Sequence, residues 1–415
     1  MTSGCYAGRP TPEPNAMTER QTALLLAAAQ ALYQTATIVM VTVGGLIGLQ
    51  LAPDPRLATL PLAVVMVAST AGRMPAAWLV QRAGWRGGFL FGAALGIAAG
   101  LVGAAAVVLR SFALFLVANA LLGCYGAFAG YYRFTAADAA SPAFRSRAIS
   151  WVVAGGVLAA LLGPAILRHG DALLHGLHLA EYMVPLLSMV VLGLLAAAVV
   201  ARLQLGGPTS GDDKTHAADA RPLGEIVRQP LFIVSTLCST AGYAVMVMVM
   251  TATPLAMSMC GLPLASSATV IQWHVLGMFV PSFFTGNLIK RFGVLPVMAV
   301  GAACLAGHVA IALSGVAYDN FVVGLTLLGV GWNFLFVGAS LLLTETYRTA
   351  ERARTQAVHD LIVYGVTSVA SLSAGSLLAA LGWRAVNIAA LPALLMAVLA
   401  MLHLAWLRRR SVATA

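Results

Sequence analysis

Charged residues are scarce in this chain of 415 residues: Asp, Glu, Lys and Arg together make up 9% of it. A soluble globular domain carries roughly 25% of such residues, so the composition excludes a soluble fold. The five cysteines are scattered and lie mostly in apolar stretches, which excludes a disulfide framework. No glycine-rich phosphate-binding loop occurs, and no serine or cysteine has a paired base. We therefore expect neither an ATP-driven pump nor an enzyme.

Apolar residues instead make up 60% of the chain. A membrane-spanning helix needs about 20 mainly apolar residues in succession. Twelve such stretches predict an all-α integral membrane protein. They lie near 23–50, 59–80, 88–109, 112–133, 148–168, 181–202, 231–259, 264–289, 294–316, 319–346, 357–382 and 385–407.

Lysine and arginine are distributed unevenly along the chain, whose net charge is +10. If both termini are cytoplasmic, 18 of the 24 Lys and Arg residues fall in cytoplasmic segments, and the opposite loops hold only Arg56, Arg110, Arg168 and Arg384. This asymmetry predicts cytoplasmic termini and explains the positive charge without a nucleic-acid partner. Residues 1–20 lack an apolar signal core, so we expect the first span to act as an uncleaved insertion signal.

The two halves of the chain echo each other on either side of its most polar stretch, residues 204–222. Arg82 after the second span returns as Arg291 after the eighth, 209 residues later. The pattern F-R-S-R at 144–147 returns as E-R-A-R at 351–354, 207 residues later. Two echoes at nearly one offset predict duplicated halves. We expect a cytoplasmic tail at 1–22, six-helix bundles at 23–202 and 231–407, a cytoplasmic linker at 203–230 and a second cytoplasmic tail at 408–415.

Sulfur side chains gather in the seventh and eighth spans. Met246 and Met250 are four residues apart and share one helix face, and His274 and Met278 repeat that spacing on the next span. Thioether sulfur is a soft ligand that selects Cu(I), and imidazole also binds copper. The lack of carboxylate ligands disfavours Mg²⁺, Ca²⁺ and manganese. The pattern therefore predicts a copper site formed by these four residues.

Two cysteines and two prolines flank the predicted ligands. Cys238 lies about two helical turns before the methionine pair, on nearly the same face, and Cys260 ends the same helix. Thiolates bind copper well, so both cysteines are candidates to pass copper to or from the central site. Pro254 and Pro281 each predict a kink beside a ligand pair, since proline clashes with the carbonyl four residues earlier.

Simpler explanations exist for each residue taken alone. Methionine is a flexible apolar filler, so one pair of methionines is typical of packing. A structural hydrogen bond to a neighbouring helix explains His274 alone as well as a ligand role does. The combination of both motifs on consecutive spans favours a ligand site.

These features resemble the major facilitator superfamily across nearly the whole chain. The loop pattern of that family is Gly-x-x-x-Asp-Arg-x-Gly-x-Arg. Arg82 and Gly84 fit it, whereas Ala77 and Gln81 replace its first Gly and its Asp, and Lys290 replaces the Asp in the second copy. The resemblance implies a major facilitator fold of twelve transmembrane helices in two six-helix halves, and secondary transport by alternating access. The replaced Asp removes the acidic partner that gating at that position would use.

The sulfur motifs are similar to those of the CcoA-type copper importers of this superfamily, which have M-x-x-x-M in helix seven and H-x-x-x-M in helix eight. The positions are occupied by Met246, Met250, His274 and Met278, and Cys238 and Cys260 match nearby cysteines. This resemblance implies import of copper, as substrate and not as cofactor, across the bacterial cytoplasmic membrane. The copper would supply a haem-copper cytochrome oxidase, with a copper chaperone or an oxidase assembly factor as protein partner. We expect the transporter to be a monomer in the lipid bilayer. Related members of the subfamily carry riboflavin.

Further polar residues lie near the cytoplasmic ends of spans. A charge network that locks one conformer is the favoured explanation, and proton coupling is the functional one. The candidates for coupling or gating are Arg73, Arg133, Asp138, Glu345 and Asp360, with His359 beside the last. Three histidines in an external loop, His169, His175 and His178, show no regular ligand spacing.

The sequence thus predicts a secondary transporter that imports copper, as Cu(I). The alternative is an importer of riboflavin or an exporter of another small organic solute, with the methionines as an adaptable apolar wall. Trp273, Trp332 and Tyr364 are then the aromatic candidates for stacking on a flat substrate. A non-transporting sensor or assembly factor is a third class that no residue favours.

Overall fold

The structure, a computed structural model, describes residues 17–141, 144–173, 182–204, 221–348 and 351–413. Those residues form helices and connecting turns, with no strand among them. The N-terminal half contains α1 (Glu19–Leu51), α2 (Leu60–Ala71), α3 (Arg73–Val108), α4 (Phe112–Ala129), α5 (Tyr132–Asp138), α6 (Arg145–Leu173) and α7 (Met183–Ala201). The C-terminal half contains α8 (Leu223–Val227), α9 (Pro230–Met259), α10 (Leu264–Phe279), α11 (Ser282–Phe292), α12 (Val294–Ser314), α13 (Tyr318–Thr344), α14 (Arg352–Ile388) and α15 (Ala390–Ala413).

Each of the twelve predicted spans is helical over most of its described residues. By length and composition, nine helical stretches of the described chain could cross a membrane. The twelve predicted spans correspond to nine such stretches for two reasons. Helices α2 and α10 are too short because their spans are interrupted, and the last stretch, Arg354–Arg410, contains two predicted spans. The number of twelve crossings stays a prediction.

The interruptions repeat between the halves. The second span breaks at Gly72, between α2 and α3, and the eighth breaks at Pro281, between α10 and α11, which is 209 residues later. Proline cannot donate to the helix ladder, which accounts for the break at Pro281. Helix α9 runs without interruption through Pro254.

The repeated loop motif has the same backbone in both copies. Gly84 has φ 73° and Gly293 has φ 89°, and each lies where a span ends and the next helix continues. Only glycine adopts such φ values without strain, so glycine is required at both turns. The sequence echo thus corresponds to a structural one.

Each half has its own apolar core, and the halves meet along pairs of helices. Helix α2 packs on α14, α6 packs on α10, and α1 packs on α9. Many large apolar side chains lie exposed on the outer surface, as on a surface that faces lipid. The predicted linker at 203–230 contains the short helix α8, and its residues 205–220 lie outside the described chain, as do His175 and His178.

Candidate functional site

A cavity of about 120 Å³ lies between the two halves. Helices α1, α2 and α4 form one wall, and α9, α10 and α14 form the other. None of the described residues that line it is charged; its polar side chains come from Gln34, Thr37, Tyr243, Thr251 and Ser371. A site at the interface of two helical repeats is where secondary transporters hold their substrates. The cavity is therefore the candidate substrate site.

Three of the predicted sulfur ligands lie on this cavity. Met246 and Met250 reach it from α9, and Met278 reaches it from α10. Met248 and Met257 face elsewhere on α9 and pack in the core of the C-terminal half. The helical spacing of the methionines therefore separates cavity-lining sulfur from core sulfur, as helix geometry requires.

His274 does not line the cavity. Its side chain is fully buried, and Nδ1 lies 2.9 Å from the carbonyl oxygen of Leu325 on α13. A carbonyl only accepts, so Nδ1 carries the proton and Nε2 of the neutral ring has a free lone pair. Nε2 has no hydrogen-bond partner. The four predicted ligands therefore do not share one wall: three thioethers face the cavity, and the imidazole is bonded to α13.

The close approach of α10 to α13 explains why His274 lies there. A Cβ on Gly277 would lie 2.8 Å from the carbonyl oxygen of Thr326, and one on Gly329 would overlap the carbonyl oxygen of His274. Small residues at helix crossings let backbones approach, and a neighbouring polar side chain then bonds to the facing helix. The glycines thus place the histidine ring against α13.

Neither predicted cysteine lies on the cavity. The buried thiol of Cys238 donates to the carbonyl oxygen of Ala397 on α15 over 3.7 Å, and Cys260 is exposed at the end of α9. Within the described residues, no group of three or more His, Cys, Asp or Glu side chains could hold a metal ion. A copper relay through these two cysteines stays a prediction.

Tyr243 lines the cavity and belongs to a group of four rings in contact, which we call the aromatic cluster: Tyr243, Trp332, Phe336 and Tyr364. Tyr243 contacts each of the other three edge-on, with ring centroids 5.3–5.5 Å apart. Trp332 and Phe336 are stacked, with centroids 5.0 Å apart. The buried Nε1 of Trp332 has no partner. Trp273, a third predicted stacking residue, is instead half-exposed on the outer surface.

Sequence reasoning missed Tyr243 and Phe336. A signal for Tyr243 was present, because it precedes Met246 by three residues and Met250 by seven, which is the spacing of one helix face. Phe336 had a signal of the same kind, because it lies four residues after Trp332, a predicted stacking residue, and so shares its helix face.

Among the described residues, one ion pair joins the two halves. Nη1 of Arg73 lies 2.9 Å from Oδ2 of Asp360, and both side chains are about two-fifths exposed. The other carboxylate oxygen lies 3.3 Å from Nδ1 of His359. The guanidinium of Arg73 also lies over the ring of Tyr364, 4.8 Å from its centroid. Two residues of the predicted gating set are thus partners.

The other members of that set lie apart from this pair. Glu345 pairs with Arg408 at 3.3 Å within the C-terminal half. The exposed Arg133 lies over the ring of Phe134, and Asp138 is exposed at the end of α5. These positions do not join the halves.

A family comparison agrees with this architecture. Residues 24–307 match the family described as the Major Facilitator Superfamily. The chain belongs to the major facilitator superfamily. It is a secondary transporter and not an enzyme, and its helices place it in a membrane.

Relatives within the major facilitator superfamily differ in what their names say. The chain is 40% identical over 375 residues to the riboflavin transporter RfnT of Brucella anthropi, covering 90% of this chain and 93% of that protein. It is 29% identical over 337 residues to the MFS-type transporter YdeG of Bacillus subtilis, covering 78% of this chain and 77% of that protein. The name of the second relative gives no substrate.

Solved structures share the fold. A D-xylose–proton symporter has a TM-score of 0.70 at 16% identity, covering 92% of this chain and 96% of that chain. A bacterial metal transporter has a TM-score of 0.63 at 15% identity, covering 94% and 99%. At such identities the likeness concerns the fold alone.

This member of the major facilitator superfamily also has a buried carboxylate outside its spans. Glu351, just before α14, accepts from the backbone N–H and the guanidinium of Arg221, and from the backbone N–H of Arg348. Hydrogen bonds from the Arg221 guanidinium hold the pKa of the Glu351 carboxyl well below its usual range. The contact fastens the end of the linker to the segment between α13 and α14.

Proposed function

We propose that this transporter imports riboflavin, or a flat, uncharged heteroaromatic solute close to it, by alternating access. The observation that carries the proposal is the 40% identity to a riboflavin transporter over 90% of the chain. Copper import, which the sulfur motifs predicted, is the weaker candidate because the imidazole of His274 does not face the cavity.

The chemistry of the cavity supports an uncharged organic substrate. Its described lining combines apolar side chains with neutral hydrogen-bonding groups on both halves. Small-molecule sites are mostly apolar, with a few placed polar groups that fix orientation. Riboflavin has a flat ring with amide groups and a chain of hydroxyls. Its ring can pack on the apolar side chains, and its amides and hydroxyls can bond to the neutral polar groups. A phosphorylated flavin would bring charge to a wall without a cation.

Ser371 is the best-placed polar contact. Its side chain is fully buried, it lines the cavity, and its Oγ has no hydrogen-bond partner. A buried polar group without a partner is costly, so a ligand that bonds to it recovers that cost. Tyr243 supplies an aromatic edge on the same cavity, backed by the rest of the aromatic cluster.

Alternating access is needed because contacts between the halves bridge both ends of the cavity. Thr59 on one half bonds to the backbone of Ser371 and Gly375 on the other, and Arg73 pairs with Asp360 at the opposite end. These bridges between the halves must separate to admit a three-ring solute. Rocking of one bundle against the other provides that motion.

A bacterial riboflavin auxotroph tests the proposal. Cells that express the chain should grow at riboflavin concentrations that do not support the empty-vector strain, and they should accumulate radiolabelled riboflavin. Unlabelled riboflavin should compete for uptake, and riboflavin 5′-phosphate should compete poorly. Equal accumulation in both strains, with the protein shown to be in the membrane, would reject riboflavin transport.

Copper remains a second candidate because Met246, Met250 and Met278 line one cavity. Replacing Met246 by Leu keeps an apolar side chain of similar size and removes the sulfur ligand. Met248→Leu is the matched control, since Met248 lies two residues further along the same helix and packs in the core. Loss of radiolabelled copper uptake in Met246→Leu but not in Met248→Leu would favour copper as the substrate.

A further inference from the structure

A groove of about 480 Å³, larger than the central cavity, lies between the two halves at the end that the positive-inside pattern assigns to the outside. We call it the seam groove. One wall comes from Arg56 and Leu57 in the turn before α2 and from Leu60 of α2, and the other comes from side chains between positions 372 and 380 of α14. That stretch of α14 is about 12 Å long, so the groove extends from the loop into the span.

The seam groove is polar where it meets the loop and apolar along its length. Arg56 and Ser376 lie at the loop end, where the hydroxyl of Ser376 donates to the carbonyl oxygen of Arg56 over 3.4 Å. Leu372, one helical turn before Ser376, and Leu60 belong to the part within the span. Leu57 and Leu372 are exposed on the same outer surface as the other large apolar side chains. A phospholipid, with a charged head above an apolar chain, has the same order of polarity.

Arg56 brings a charge that the fold does not use. Within the described chain, its guanidinium makes no ion pair. The nearby carboxylate of Asp54 accepts from the backbone N–H of Arg56 at 2.8 Å and caps the turn. Arginine stays ionised at any physiological pH, and its planar fork matches the oxygens of a phosphate group. The groove therefore offers a cation to an anionic head group.

The opposite seam between the halves is closed without such a space. There Arg168 of α6 donates to the side chains of Thr269 and Gln272 on α10, at 3.2 and 3.0 Å. An arginine of the N-terminal half thus finds its partners directly on the C-terminal half. At the seam groove the arginine of the N-terminal half, Arg56, borders open space instead. A bound anion would complete there what two neutral side chains complete at the opposite seam.

We propose that the seam groove binds an anionic phospholipid of the outer leaflet, which stabilises the conformation with a closed external end. The phosphate pairs with Arg56, and an acyl chain lies along Leu60, Leu372 and Leu377. One lipid molecule thus contacts both halves. The inference does not depend on which solute is transported.

The position of the groove connects lipid binding to conformation. Its walls belong to the same two helices whose contact closes the external end, through Thr59 and the backbone of Ser371 and Gly375. Separation of α2 from α14 moves the two walls apart and breaks the contact of the lipid with one of them. The lipid therefore binds the closed form more tightly and shifts the equilibrium towards it.

Native mass spectrometry of the purified transporter tests the site. The protein in detergent is titrated with phosphatidylglycerol or with phosphatidylcholine, and we expect tighter binding of the anionic lipid. Arg56→Gln should weaken phosphatidylglycerol binding roughly 5-fold. Arg384→Gln is the matched control, because Arg384 is an exposed arginine of a predicted external loop that does not line the groove. The site is wrong if Arg56→Gln binds this lipid like the wild type, or if both variants lose it equally.

A second pair of variants distinguishes a lipid from a free phosphate ion. Leu372→Ser makes the apolar wall polar and leaves Arg56 in place, so it should also weaken phosphatidylglycerol binding. Leu395→Ser, an exposed position of α15 outside the groove, should not. Inorganic phosphate at matched ionic strength should leave the lipid bound. Displacement by inorganic phosphate, together with wild-type binding in Leu372→Ser, would mean an ion site and overturn the lipid.

A distance measurement tests the effect on conformation. Val108 at the end of α3 and Val316 after α12 are exposed at the predicted external end, one on each half and both outside the groove. Spin labels on cysteines at these positions, in a chain freed of its native cysteines, report the separation of the halves. In nanodiscs, adding phosphatidylglycerol to phosphatidylcholine should increase the population with the shorter distance, and Arg56→Gln should not respond. A wild type whose distances do not change with the lipid would overturn the stabilising role.

Discussion

Nδ1 of His274 donates to the carbonyl oxygen of Leu325 across 2.9 Å, and this bond joins α10 to α13. It depends on Gly329, where a Cβ would overlap the carbonyl oxygen of His274 and lie 3.0 Å from the amide nitrogen of Met278. The histidine that sequence reasoning assigned to copper thus has a structural bond within one half.

Gly329→Ala should destabilise the C-terminal half. The added methyl group must push α10 away from α13, which costs about 1–3 kcal/mol as overpacking does elsewhere. We expect a lower midpoint of thermal denaturation in detergent. Gly365→Ala is the control, since a Cβ there meets nothing within 4 Å. Equal midpoints for the two variants would contradict the tight crossing.

Ser371→Ala should weaken substrate binding without harming the fold. Loss of one hydrogen bond to a neutral ligand costs about 0.5–1.5 kcal/mol, which raises KM for riboflavin roughly 2- to 10-fold. The measurement is the concentration dependence of uptake. Ser373→Ala is the matched control, because Ser373 is exposed and its hydroxyl donates within its own helix to Val369. An unchanged KM in Ser371→Ala would remove this residue from the site.

Acid should weaken the contact between Glu351 and Arg221. The folded pKa of Glu351 lies below its unfolded value of about 4.3, so its contribution to stability is present above that value and is lost as pH falls through the folded pKa. We expect Glu351→Gln to lower the denaturation midpoint near neutral pH and to reduce the further decrease between about pH 5 and about pH 3.

The control for that experiment is Glu345→Gln, which removes a carboxylate from the exposed pair with Arg408. Exposed pairs contribute little, so its midpoint should match the wild type. If both variants respond to acid as the wild type does, Glu351 is not the group that titrates.

Gly375→Ala should disturb the external end of the cavity. A Cβ at Gly375 would lie 2.5 Å from Oγ1 of Thr59, so α14 and α2 must separate there. Met66 lines the cavity, so a cysteine introduced in its place reports access. We expect a membrane-impermeant maleimide to label that cysteine faster from the external side, and net uptake to be slower. Adding Thr59→Ala removes the clashing hydroxyl and should restore part of the closure. A double variant as open as Gly375→Ala alone would mean that the two residues do not act on each other.

Much of the fold could be predicted, because membrane spans leave a strong local signal. Long apolar runs, the placement of arginines and the echo from Arg82 to Arg291 depend on the chain alone, and the helices lie on the predicted stretches. The interruption at Pro281 was also predictable from proline chemistry, whereas the matching break at Gly72 was not. Helix spacing correctly assigned Met246 and Met250 to one face.

The sequence by itself determined the apolar helices, the two related halves and the faces on which the methionines lie, since these follow from hydropathy and helical periodicity. Only the tertiary structure decided which helix each face meets. Gly277 and Gly329 bring α13 so close to α10 that His274 bonds to Leu325 and not to the cavity. The approach of α2 to α14 likewise pairs Arg73 with Asp360, 287 residues apart in the chain. Contacts at such separations depend on packing between helices, which no local pattern contains.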